Sequence, residues 1–226
     1  MLSDVFALSA AWSRTVIEFA ADLPPWLQST AHAGTDLLLG VFAILFLASW
    51  WRARSVGPRL VGLALIAPVA TVIAYAVSRT VKSFFEQMRP CQAMTDLVTI
   101  ATCDPVGDWS FPSNHSAIAG AAAAALVLAW RRVAVAAVLL AVLEAFSRVL
   151  VGAHYPHDVT VGLLLGASVS ALVCLAVSRP MTGVVDLLAR DARLRPLVRT
   201  DRPAPDLVGR PVPETVPENE SRVGGV

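Results

Sequence analysis

The chain has 226 residues, of which 56% are hydrophobic and 15% charged, with a mean hydropathy of +0.63. Soluble domains carry about 25% charged residues, so a water-facing surface is excluded, as are a wholly disordered chain, a collagen-like repeat and a disulfide-rich mini-domain. Eighteen basic against seventeen acidic residues leave a net charge of +1 and no basic excess for holding nucleic acid; a polytopic membrane protein remains.

Residues 1–30 are interrupted by Asp4, Arg14, Glu18 and Asp22 and closed by Pro24-Pro25. They predict an amphipathic interfacial helix, or a shallow re-entrant one, and no signal peptide. Apolar runs occupy 37–51, 60–80, 114–130, 133–150 and 159–178. A span needs about 20 mostly apolar residues, slightly fewer where the end side chains snorkel. The first run ends in Trp50-Trp51, a pair suited to the membrane interface. The expected fold is all-α, a polytopic bundle of five to six membrane helices, with its core over residues 35–180. Residues 184–194 predict a short amphipathic surface helix. From about 200 the tail is rich in Pro, Glu and Arg and reads as disordered, so 181–226 forms a partly disordered tail.

Orientation comes from the arginines. Arg52, Arg54 and Arg59 lie between the first two runs, and Arg131 and Arg132 between the third and fourth. Arg179, Arg190, Arg193, Arg195 and Arg199 come after the fifth. All three connections, and the tail, are therefore expected in the cytoplasm. Loops 81–113 and 151–158 are then forced together onto the extracytoplasmic face of the cell membrane.

Charges beside apolar runs are costly, and each needs a reason. Lys82, the only lysine, and Arg89-Pro90 come after the second run; Phe111-Pro112-Ser113-Asn114-His115-Ser116 opens the third. Ser147-Arg148 closes the fourth, and His154-Tyr155-Pro156-His157-Asp158 opens the fifth. This is an inventory for handling a phosphate. Ser113 is a good N-cap, and the free N–H groups after it point toward an anion. Arg89 and Arg148 can each bind phosphate oxygens bidentately, and Lys82 adds a point charge. Asp158, four positions after His154, can fix one imidazole nitrogen and leave the other as a nucleophile. His115, at the start of another helix, can protonate a leaving oxygen. The cysteines make no metal pattern and no Gly-rich phosphate loop occurs, so neither a metal nor a cofactor is expected.

With these residues in order, the chain resembles the type 2 phosphatidic acid phosphatase superfamily, which shares its site with vanadium haloperoxidases. The resemblance rests on K-x6-RP from Lys82 to Pro90, PSNH from Pro112 to His115, and SR-x5-H-x3-D from Ser147 to Asp158; it covers about residues 35–180. It implies a phosphohistidine formed on His154, oriented by Asp158, with His115 as general acid. Lys82, Arg89, Ser113 and Arg148 would bind phosphate, with Pro90 in the first motif and backbone support near Asn114. The second motif commonly has Gly where this chain has Asn114. Undecaprenyl-diphosphate phosphatases of the superfamily often carry Asp there, so a polar residue leans toward them.

The resemblance therefore implies a membrane lipid phosphatase whose partners are a lipid phosphate substrate and the bilayer. A polyprenyl diphosphate cleaved to the monophosphate is the favoured substrate. Phosphatidic acid, phosphatidylglycerol phosphate and a lipid phosphotransferase reaction are the alternatives within the class. A lipid-phosphate transporter or binding scaffold is the alternative outside it. Among the remaining polar residues, Glu144 precedes Arg148 by one turn and is expected to neutralise it, and Glu86 to hold Lys82. His32 and His157 read as structural, and Trp109 and Phe111 as interface anchors. Cys91 and Cys103, both on the outer loop, are expected to pair.

Overall fold

In the structure, a computed structural model, residues 2–105 and 107–199 are described; the tail from 200 onward, expected to be disordered, lies outside them. The helices are α1 (Leu2–Ala21), α2 (Pro25–Ala53), α3 (Pro58–Lys82), α4 (Pro90–Ala93), α5 (Asn114–Ala129), α6 (Ala134–Leu150), α7 (Pro156–Leu188) and α8 (Arg195–Val198). A 3₁₀ turn at Arg131–Val133 leads into α6. Among the described residues the fold is all-helical, and α2, α3, Arg131–Leu150 and α7 are long and apolar enough to cross a bilayer.

The fifth apolar helix, α5, has 16 residues, about 24 Å at 1.5 Å per residue and short of a hydrocarbon core of about 30 Å. Its sequence, NHSAIAGAAAAALVLA, is apolar all round, and such a helix is stable only where other helices cover it. It is the axis of the bundle, enclosed by α2, α3, α6 and α7. Small residues let α5 and α7 touch backbone to backbone: a Cβ on Gly166 would lie 1.9 Å from the Ala117 carbonyl oxygen, and one on Gly120 would lie 2.3 Å from that of Leu163.

Pro24-Pro25 does end α1, as expected, but it also starts α2, because Pro25 suits the first helical position. The apolar run 37–51 is thus extended by three turns toward the N-terminus. Those turns carry His32, Thr35 and Asp36 to the end of the bundle where loops 83–113 and 151–155 lie. Helix α1 is no candidate span. It buries a stripe of Ser9, Ser13, Ile17 and Ala20 against α6 and α7 and exposes Leu8, Trp12 and Phe19, as an interfacial helix would.

At the far end α7 departs from expectation. Pro180 does not stop it, and the separate helix expected over 184–194 is the last turn of α7 and then a bend. Burial explains the continuation, since Val185 packs with Ala53, Val61, Ala64 and Val198. Helix α8 is held there by Trp50, which donates to the Leu197 carbonyl at 3.0 Å, and by Arg54, which donates to that of Pro196 at 2.9 Å.

Candidate active site

Three stretches far apart in the chain meet at one end of the bundle. The loop before α5 is tied to the loop before α7: Ala101 donates to the Val151 carbonyl at 3.0 Å. Cys91 and Cys103 are bonded, closing the first of these loops beneath α4. Pro90 is buried at the start of α4, which aims Arg89 inward.

Arg89 is the hub. It is buried, and its Nε donates to the Asp108 carbonyl at 2.9 Å and its Nη1 to the Ala153 carbonyl at 3.2 Å. The same Nη1 lies 3.4 Å from His154 Nε2. Carboxylates balance the charge, Asp104 at 3.0 Å and Asp108 at 3.2 Å. Lys82, also buried, donates to the same Asp108 oxygen at 3.2 Å. Burial would raise the Asp108 carboxyl, but Lys82 and Arg89 outweigh it and hold it below the ordinary carboxylate range.

His154 is 2% exposed and Asp158 wholly buried. Asp158 sits in the first turn of α7, where its Oδ2 accepts the Tyr155 N–H at 2.9 Å and so caps the helix that carries it. The same oxygen accepts a hydrogen bond from the Ser110 hydroxyl and lies 3.6 Å from His154 Nδ1. Ser110 Oγ is itself 3.4 Å from Nδ1. With Nδ1 facing the carboxylate, Nε2 is the nitrogen turned toward Arg89. Burial pushes the His154 imidazole down to about 3 against the pull of Asp158, so the ring is neutral near pH 7. A neutral, oriented imidazole with a cation beside its outward nitrogen is arranged to attack an anionic phosphorus.

Arg148 and His115 face Arg89 across a cavity of about 180 Å³, which Thr35 and Asp36 of α2 close from the side. His115 Nε2 lies 3.4 Å from Asp36 Oδ1. Ser113 caps α5 as expected, its hydroxyl accepting the Ser116 N–H at 3.4 Å, while its own N–H donates to the Asp158 carbonyl at 3.1 Å. Asn114 turns toward α3, accepting from the Ser78 hydroxyl at 2.8 Å. It therefore braces α5 against α3.

Two expected pairings do not form. Glu144 is wholly buried in α6, yet both its oxygens and Arg148 Nε have no hydrogen-bond partner among the described residues. The i,i+4 spacing brings the residues to one face of the helix without closing an ion pair. Glu86 is exposed, and Lys82 turns to Asp108 instead. Sequence reasoning missed Asp36, Asp104, Asp108 and Ser110. For Asp108 and Ser110 a signal existed, since they stand just before Phe111-Pro112-Ser113. Phe111 packs edge-on against Phe85 at 5.2 Å and beside His157 at 6.0 Å, so it is held by rings of the protein itself. His157 lies between Ser9 at 2.7 Å and Gln87, and its Nε2 is 3.0 Å from Asp158 Oδ1, so it also contacts the carboxylate behind His154.

A family model described as PAP2 superfamily matches residues 63–181, more than half of the chain. A lipid A 1-phosphatase of Rhizobium johnstonii is 44% identical over 82 residues, 36% of this chain and 33% of that protein. The undecaprenyl-diphosphatase BcrC of Bacillus subtilis is 28% identical over 157 residues, 69% of this chain and 77% of that protein. The matched stretch spans only a third to under three fifths of the length of the relatives with the higher identities. Among solved structures, a transmembrane PAP2-type phosphatidylglycerolphosphate phosphatase from Bacillus subtilis superposes with a TM-score of 0.56 at 23% identity, over 75% of this chain and 84% of that one.

Proposed function

The chain belongs to the PAP2 superfamily, and from that premise we propose that it is an integral-membrane phosphatase of a polyprenyl diphosphate, which it hydrolyses to the monophosphate and inorganic phosphate. One observation carries the reading: His154 Nε2 lies 3.4 Å from the buried Arg89, with Asp158 behind Nδ1 of the same ring. In the proposed reaction Lys82, Arg89 and Arg148 take the oxygens of the terminal phosphate. Nε2 attacks its phosphorus as the bond to the bridging oxygen breaks, and His115 gives that oxygen a proton. Water then attacks the phosphohistidine while His115 takes back a proton, which releases phosphate and restores His154. Asp158 stabilises the positive charge on the ring throughout.

The polyprenyl substrate is supported by the match over most of the chain to an undecaprenyl-diphosphatase and by the compact outer loops. We assign the site to the extracytoplasmic face, because Arg52, Arg54, Arg59, Arg131 and Arg132 lie at the opposite end of the helices and the disulfide lies at the site's end. The test is phosphate release by the purified chain from a polyprenyl diphosphate, phosphatidic acid and phosphatidylglycerol phosphate. The diphosphate should lead by at least about tenfold in kcat/KM, and His154→Ala should abolish release while still melting as a folded protein. Comparable rates on all three would overturn the substrate, and release by His154→Ala would overturn the mechanism.

A further inference from the structure

A cavity larger than the one at the candidate active site lies elsewhere in the bundle. It lies at the other end of α5, about 22 Å away along that helix at 1.5 Å per residue, and has a volume of about 680 Å³, within the range that holds a small ligand. Arg52 from the end of α2, Arg59 from the start of α3, and Arg131 and Arg132 from the 3₁₀ turn all line it. No acidic side chain does, and none of the four arginines has a carboxylate partner among the described residues. Four cations around one hollow, without a carboxylate partner among the described residues, attract an anion.

Two features say what kind of anion. The walls beneath the arginines are apolar, formed by Leu60, Leu63, Leu128 and Leu175, and Leu175 is itself exposed on the outside of the bundle where acyl chains would lie. Trp130 stands at the boundary between the two zones. The Arg52 guanidinium lies 5.6 Å from its ring centroid, and its buried indole N–H has no acceptor among the described residues. The Arg52–Trp130 contact holds one of the cations beside the apolar wall. We propose that this cavity binds the phosphate of an anionic phospholipid, with the headgroup among Arg52, Arg59, Arg131 and Arg132 and the chains along the leucines. The site is separate from the one that holds His154.

The test uses the full chain in detergent micelles and reads lipid retention by native mass spectrometry together with the shift in melting temperature. The probes are dioctanoyl phosphatidylglycerol, dioctanoyl phosphatidylcholine and inorganic phosphate. Phosphatidylglycerol should bind at least tenfold more tightly than phosphatidylcholine. Arg59→Gln combined with Arg132→Gln should lose at least tenfold of that affinity. Ser178→Glu, which keeps every arginine and puts a carboxylate into the cavity, should do the same, so a folding failure of the arginine variant cannot mask the answer. All variants should keep the parent rate on a water-soluble phosphate monoester. Equal affinity for the two lipids, or undiminished phosphatidylglycerol binding by Ser178→Glu, would overturn the proposal. Protection by inorganic phosphate equal to that by phosphatidylglycerol would overturn the lipid in favour of the free anion.

Discussion

The contact between α5 and α7 sets the distance between the two histidines of the candidate site, and one methyl group tests it. A Cβ at Gly166 would meet the Ala117 carbonyl oxygen at 1.9 Å, where ordinary contact begins at 3.4 Å. Gly166→Ala must therefore open the pair by about 1.5 Å, because a backbone oxygen cannot rotate away as a side chain can. Two turns up, α7 carries Asp158 and comes just after His154, while Ser113 caps α5 and His115 lies in its first turn. The Ser113 N–H to Asp158 carbonyl bond of 3.1 Å joins them. Overpacking of this kind costs about 1–3 kcal/mol in stability, and a misplacement of about 1 Å can cost about 100-fold in rate. Gly166→Ala should thus lose more activity than its melting temperature implies. Gly183→Ala, in the same helix with nothing within 4 Å of its Cβ, should melt no lower than the parent, since alanine is the better helix former by about 1 kcal/mol. The assay is kcat/KM for phosphate release alongside thermal unfolding in detergent. Parent activity in Gly166→Ala, or an equal loss in Gly183→Ala, would refute the reasoning.

Ser110→Ala removes a donor to Asp158 Oδ2; a hydrogen bond to a charged group is worth about 1.5–3 kcal/mol, so kcat should fall about 10- to 100-fold with KM little changed, and a rise in KM alone would remove Ser110 from the orientation of His154. Asp108→Asn frees Lys82 and Arg89 from a half-exposed carboxylate. Partial solvent screening limits the gain to about 1 kcal/mol, so inhibition by inorganic phosphate should tighten about fivefold, whereas weaker inhibition would mean that Asp108 props the cations rather than competing for them. Acid should destabilise the fold through His154. Its folded value, pushed down to about 3 by burial, lies below the unfolded value of about 6.5. The unfolded chain then binds the extra proton, and stability complete above pH 6.5 is lost as pH falls toward 3, by about 2 kcal/mol at pH 5. His154→Gln should melt with a shallower dependence between pH 7 and 5, and an unchanged slope would contradict a neutral buried ring.

The bundle and the grouping of its candidate-site side chains were legible in the sequence because the bilayer and a cluster of buried charges each restrict residue type. Hydrocarbon demands long apolar runs, and Lys82, Arg89 and Arg148 stand out because each is a cation close to the end of an apolar helix. The proline pair at 24–25 misled only about the start of the next helix, since the same kind of ring that stops α1 also opens α2. The separate helix expected over 184–194 did not form because α7 runs on through Pro180, where a helix tolerates the lost hydrogen bond and the packing of Val185 repays it. The unpaired state of Glu144 and the role of Asp36 beside His115 stayed hidden for a different reason. Spacing along one helix brings Glu144 to the face of Arg148, but whether two charges meet depends on what neighbouring helices put between them. Asp36 meets His115 through a contact between α2 and α5, 79 residues apart in the chain. Cations that bind a common anion repel one another, so a fold that buries them needs carboxylates within reach. Reach can be supplied from any loop or helix end, so Asp104 and Asp108 are fixed by charge and distance alone, and no periodicity marks them.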